Sequence, residues 1–214
     1  MLRSSLAGLA ILMLLPACGG TTPGAVQGPT AASVAVQPGD LPSGMRKCDL
    51  SGDIDSFLSK SKTKDPNTYT STKADWDAAK KAGATAAYTA FYTDSTQHCA
   101  QIGSSSSDIT TATFNLVVNF AIQFKDEASA TKGYTGGTVF GFSASSLKGG
   151  GAPVQEGAAT GLGPNSILLS VTISNETLTY AIWQHKAFMV ILVVLNMDTA
   201  TAKKVAIMEN GRIT

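Results

Sequence analysis

Two histidines in 214 residues leave little material for acid–base or zinc chemistry. Neither His98 nor His185 stands in a catalytic signature. The chain has no H-E-x-x-H and no G-x-S-x-G. Gly141-Phe142-Ser143-Ala144-Ser145 misses the nucleophile-elbow pattern at its last position. Gly161-Leu162-Gly163 lacks the lysine of a phosphate loop and precedes a strand pattern instead of a helix, which excludes that reading too. Charged residues make up 14% of the chain, against the usual ~25%. Cysteines number three, with no C-x-x-C, so a zinc site built on Cys48, Cys99 and His98 is poorly supported. The longest apolar run near the start, Leu6 to Leu15, is too short to span a bilayer, which needs about 20 residues.

What is present begins with that run. Arg3 precedes it, no acid accompanies it, and Leu15-Pro16-Ala17-Cys18 closes it. A short cationic start followed by an apolar stretch is an export leader. The four closing residues resemble the lipobox of bacterial lipoproteins: an aliphatic residue at −3, a small one at −1, and the cysteine. Pro16 at −2 departs from the usual pattern. An ordinary secretory cleavage wants small residues at both −3 and −1, which Leu15 fits badly. A third reading makes Cys18 a disulfide partner. The resemblance implies residues 1–17 as a discarded signal peptide and Cys18 as a residue diacylated with chains such as palmitate. It also implies an exported protein lipid-anchored to the cell membrane or the outer membrane, facing the periplasm or the cell exterior. Two or three acyl chains meet the requirement for stable anchoring. Gly19 after the cysteine does not suggest retention at an inner membrane. Lipidating Cys18 leaves Cys48 and Cys99, which can pair in an oxidising compartment.

Removing the leader takes away Arg3 and leaves 15 basic and 15 acidic residues. A neutral mature chain is neither a nucleic-acid binder nor a polybasic membrane binder. Gly19 to Asp40 is rich in Gly, Thr, Pro, Ala and Gln and reads as a flexible tether over residues 18–40, with a span of roughly 25 Å. An edge strand at Ser33–Val36 is the alternative.

A single domain is expected over residues 41–214. Ser51 to Lys62 carries Ile54, Phe57 and Leu58 on one helical face, with Ser51 or Asp53 as N-cap and Asp65-Pro66-Asn67 as terminator. Thr72 to Ala82 is a second helix anchored by Trp76. Ala84 to Thr93 is read as a strand, and Ser95 to Ile102 as a short helix carrying Cys99. Thr113 to Phe124 alternates six large apolar residues at period two, with a mixed, partly wet opposite face. Asp126 opens a helix through Tyr134. Gly136 to Asn165 is poor in structural signals. Ser166–Ile173, Thr177–Trp183 and Ala187–Leu195 are strands, the last with both faces covered, and His185 falls in the turn between the second and third. Asp198 caps a final helix to Glu209 whose Ala202, Val205, Ala206 and Met208 can face the sheet.

The sum is an α+β domain: an antiparallel sheet of about five strands with helices packed on it, an α/β sandwich. From Thr111 to Thr214 this order of elements is similar to PsbP/Mog1-like lipoprotein domains of bacterial envelopes. The two N-terminal helices depart from it. That resemblance implies a non-catalytic accessory or binding role and carries over no site residues.

Three functions follow as expectations. The first is a membrane-anchored envelope lipoprotein acting as a non-catalytic binding module, with a partner that is an envelope protein or a small apolar ligand. The second is an exported enzyme using His98 or His185 with a nearby acid. The third is a structural envelope component. No cofactor or metal is expected. The ligand-binding candidates are Phe140, Phe142 and Lys148 in the glycine-rich stretch 136–153, read either as a mobile flap or as a short strand or core plug with slack glycines.

Overall fold

The computed structural model describes residues 28–102, 112–136, 147, 153–173 and 176–214. The leader, Cys18, Phe140, Phe142 and Lys148 lie outside the described residues.

Eight strands form one antiparallel sheet: β1 (Arg46–Lys47), β2 (Gly52–Asp53), β3 (Ala84–Thr93), β4 (Leu116–Phe124), β5 (Val154–Glu156), β6 (Ser166–Ile173), β7 (Glu176–His185) and β8 (Phe188–Leu195). The order is β1-β3-β4-β8-β7-β6-β5, with β2 also on β3. The five long strands are those legible in the sequence: β4 and β6 by alternation, β7 as the return of a hairpin, β8 as an unbroken apolar run and β3 by its β-branched and aromatic residues. The three additional ones are two or three residues long, too short to show a period. β5 and the 3₁₀ turn after it, Gly157–Thr160, fall inside the stretch expected to lack structure. Thr160 and Ser166 knit that region together, sharing a hydroxyl–hydroxyl hydrogen bond of 2.7 Å.

Helices cover both faces of the sheet. The first layer is α2 (Ile54–Lys64), α3 (Pro66–Lys81) and α5 (Glu127–Gly136), with α4 (Thr96–Ile102) beside β3. Ile54, Phe57, Leu58 and Trp76 pack with Phe91, Phe120 and Ile122 on this side. The rings of Phe57 and Phe91 stack at 5.6 Å and both meet Phe120 edge-on. Asp65-Pro66-Asn67 does end α2 but also starts α3 at once. The Asp65 carboxylate accepts from the Thr68 amide at 3.1 Å, and Pro66 takes the first helical position, where no N–H is needed.

The second layer is α1 (Ala31–Val34) and α6 (Thr199–Asn210). Here two expectations are corrected. The tether boundary at residue 40 moves toward the N-terminus: Val34, Ala35 and Val36 are buried against Tyr92 and Val117. Ser33–Val36 is the end of α1 and the chain beyond it, not an edge strand. For the same reason the middle of the second face of β4 is dry, although Asn115 and Gln123 toward its ends are half-exposed. Val117, Asn119 and Ala121 are fully buried beneath this segment and α6. Composition misled because small residues such as Ala31 and Ala35 bury well when a sheet is there to receive them.

The sheet-facing stripe of α6 also differs by one residue. Ala202, Val205 and Ala206 are buried as expected, but the next residue of the stripe is Glu209, at 0% exposure, while Met208 points outward. His185 ends β7 rather than lying in the turn, which consists of Lys186 and Ala187.

Candidate functional site

Cys48 lies just after β1, its amide donating to the Phe91 carbonyl at 2.8 Å, and Cys99 sits on α4. The two are joined in a disulfide with Cα atoms 5.3 Å apart, closing a sequence separation of 51 residues. Thr93 of β3 lies alongside, its hydroxyl within 3.2 Å of the Cys99 sulfur. Both cysteines are therefore committed to structure rather than to metal. Among the described residues no group of three His, Cys, Asp or Glu side chains is placed to hold a metal ion.

Against the disulfide lies a hollow of about 330 Å³. Its polar walls are Arg46, Asp49 and Lys64, and Thr96 with Cys99 closes the α4 side. Lys47 also lines it, but its Nζ is turned to Tyr88, donating to the hydroxyl at 2.8 Å and lying 5.0 Å from the ring centroid. Lys60 of α2 donates to the carbonyls of Asp49 and Ser51, placing a further positive charge against the loop that forms one rim. The charge around the hollow is net positive. Sequence reasoning missed this site. Arg46, Lys47 and Cys48 are adjacent in the chain, but Lys64 and Thr96 join them only through the fold.

A second hollow, about 480 Å³ and more open, is lined by Thr113, Glu176, Asn196 and Asp198. Two of those groups are already engaged. The Asn196 amide holds the carbonyls of Ala112 and Phe114, and Asp198 caps α6 through the Thr201 amide.

The histidines are held as structural elements. The His98 ring stacks on Phe114 at 4.1 Å, and its Nδ1 pairs with Asp94. Burial raises the Asp94 carboxyl, but the hydrogen bonds from His98 and the Asn115 amide outweigh it and hold the group below its ordinary value. This arrangement ties α4, and with it Cys99, to the chain entering β4. His185 Nδ1 lies 2.9 Å from the Asn210 side-chain oxygen, which joins the β7–β8 hairpin to the end of α6. Of the flap stretch, Gly136 at the end of α5, Leu147 and Pro153 are described, and Leu147 packs against the first-layer core.

Behind the sheet, a polar cluster secures the N-terminal segment. Asn119 accepts from the Val36 amide at 3.0 Å and donates to both Glu209 oxygens at 2.9 and 3.1 Å. Arg212 donates to both Asp40 oxygens and to the carbonyls of Val34 and Ala35. The Tyr92 hydroxyl donates to Val36, and its burial pushes its pKa up to about 12.

Burial raises the Glu209 carboxyl well above its ordinary value, against the opposing effects of Asn119 and Arg212. A carboxyl with a raised pKa keeps its proton in the folded chain where the unfolded chain has lost it. Its effect on stability therefore appears as pH rises above the ordinary glutamate value, and it is destabilising, by up to about 1.4 kcal/mol per pH unit until the folded group itself ionises. Glu209→Gln should remove this slope and raise the thermal midpoint at neutral pH while changing little at pH 4. Parallel melts of the two proteins across that range check it; identical pH slopes would contradict it.

An antiparallel sheet covered on both faces and locked to α4 by a disulfide defines an α+β domain suited to an oxidising, extracytoplasmic setting, so the chain reads as an exported protein. Among the described residues, no helix is long and apolar enough to cross a membrane. No protein-family model matches the chain, and a comparison with curated proteins finds no match. Among solved structures, the chain is similar to the extracellular domain of PknH from Mycobacterium tuberculosis. The TM-score is 0.50 with 12% sequence identity, over 87% of this chain and 97% of that one. At that identity the likeness is one of fold.

Proposed function

We propose that the protein is a lipid-anchored, exported binding module that takes an anionic group, a carboxylate or phosphate on a larger molecule, in the hollow beside the Cys48–Cys99 disulfide. The observation that carries this reading is the pairing of a rigid wall with net positive charge: Arg46 and Lys64 flank the hollow, Lys60 backs its rim, and Asp49 is the one acid lining it. Preorganised cations on a crosslinked frame recognise anions without reorganising.

Both histidines take part in holding the fold together. His98 has one nitrogen and a ring face occupied, and His185 braces a hairpin against a helix. The lipobox-like residues ending in Cys18 supply the anchor in this reading, and the extracellular placement of the PknH domain is in keeping with it.

Short-chain polyphosphate, titrated calorimetrically against the mature chain at low salt, tests the site. Saturable binding is expected, with neutral dextran of similar size giving none. The Arg46→Ala, Lys64→Ala double variant should weaken it at least tenfold, about 1.4 kcal/mol, with an unchanged thermal midpoint. Binding that survives the double variant would place the ligand elsewhere.

A further inference from the structure

We infer that the outer side of the second layer lies against the anchoring bilayer, with Ile207 and Met208 entering the lipid headgroup region. This rests on the reading of Cys18 as the anchored residue. Ile207 and Met208, 44% and 37% exposed, are the exposed large hydrophobic side chains among the described residues. They are neighbours on α6, and its opposite stripe of Ala202, Val205 and Ala206 is already buried in the sheet. Ile207 borders Gly161, and together with Met208 it leaves a small apolar patch on the outer side of an otherwise polar helix surface. Lys204, three and four positions before them, shares their stripe and is also exposed.

The path of the chain selects the occupant. Gly28, where the described structure begins, runs through Pro29 and Thr30 directly into α1, which packs on the same face of the sheet as α6. From Cys18 to Gly28 the chain advances by ten residues. Fully extended, these reach at most about 35 Å, less than the width of about 40 Å expected for a domain of this size. An acyl chain on Cys18 therefore holds the α1–α6 layer closer to the lipid than the layer of α2, α3 and α5.

Charge agrees with that choice. Residues 28–39 carry no ionisable side chain. The two acids nearest the C-terminal half of α6 are turned inward, Asp40 to Arg212 and Glu209 to Asn119. Lys203, which donates to the Ala159 carbonyl, and Lys204 are left on the outside, a complement to anionic headgroups. The contact can be weak in itself, because a tether this short keeps it at high effective concentration. In this orientation the first layer, with Lys64 at the end of α2, faces away from the membrane.

The mature chain from Cys18, made without its leader and with its disulfide formed, carries one free thiol. Coupling that thiol to a maleimide lipid in vesicles of phosphatidylcholine and phosphatidylglycerol supplies an anchor whether or not cells acylate Cys18. A failure of docking is thus separable from a failure of the lipidation reading. Met208→Trp should shift its emission to shorter wavelength on coupling, and brominated acyl chains should quench it several-fold more than Thr70→Trp on exposed α3. Trp76 and Trp183 are buried and give a common background. In the unsubstituted protein, coupling should slow acetylation of Lys204 several-fold and leave Lys132 on α5 unchanged, and Ile207→Ser with Met208→Ser should abolish that protection. Equal quenching at the two tryptophan positions, or unprotected Lys204, would overturn the inference.

Discussion

Arg212→Ala should cost the domain about 3–5 kcal/mol, the range for removing one partner of a buried ion pair. Asp40 would be left with a side chain only 4% exposed and no cation, and the carbonyls of Val34 and Ala35 would lose their donor. The damage should be local at first. Residues 28–40 would detach while the sheet and first layer persist, since the hydrogen bonds of the Arg212 guanidinium go to the N-terminal segment. Hydrogen exchange should show this directly. Amides of residues 34–36 should lose protection many-fold, and the Val36 amide, bonded to Asn119, should report it most clearly. Arg212→Lys should recover only part of the loss, because an ammonium cannot span both Asp40 oxygens and two carbonyls as the guanidinium does.

Reducing the Cys48–Cys99 disulfide should cost up to about 4 kcal/mol, the chain-entropy value for a loop of this length. The structure adds where the loss should be felt. Cys99 is the covalent link between α4 and the chain after β1, while the His98–Asp94 pair and the His98–Phe114 stack hold α4 to the end of β3 and the chain entering β4. With the disulfide gone, α4 should be held chiefly by His98 and Ile102, and the hollow should lose its wall. Cys48→Ser with Cys99→Ser, followed by denaturant melts and polyphosphate titration, should show a lower midpoint together with weaker binding. An unchanged midpoint would mean that the crosslink contributes no stability to the folded domain.

The sequence was most legible where burial is periodic and sustained. Phe114 to Phe124 alternates over the whole of β4, and Phe188 to Leu195 is apolar at every position because both of its faces are covered. Ile54, Phe57 and Leu58 marked their face of α2 in the same way. It was least legible where a contact depends on distant residues. Residues 30–40 look like a stalk by composition and pack only because β3, β4 and α6 offer them a groove and Asn119, Tyr92 and Arg212 offer partners.

Glu209 illustrates the same limit within a helix. The spacing 202, 205, 206, 209 is a regular buried stripe, but an acid is rarely fully buried, so residue type points to Met208 where the structure buries Glu209. A lone charged residue continuing an apolar stripe was the available signal, and Asn119 in a strand of phenylalanines was its counterpart. The positively charged hollow had no comparable trace, since its walls come from β1, α2 and α4.

Metabolic labelling of the native protein with a radioactive fatty acid tests most directly the proposal that an acylated Cys18 holds the domain at a membrane. The account predicts label in the mature protein and, for Cys18→Ala, an unlabelled precursor that retains residues 1–17. Label retained on the Cys18→Ala protein, or an unlabelled mature wild-type protein, would contradict it.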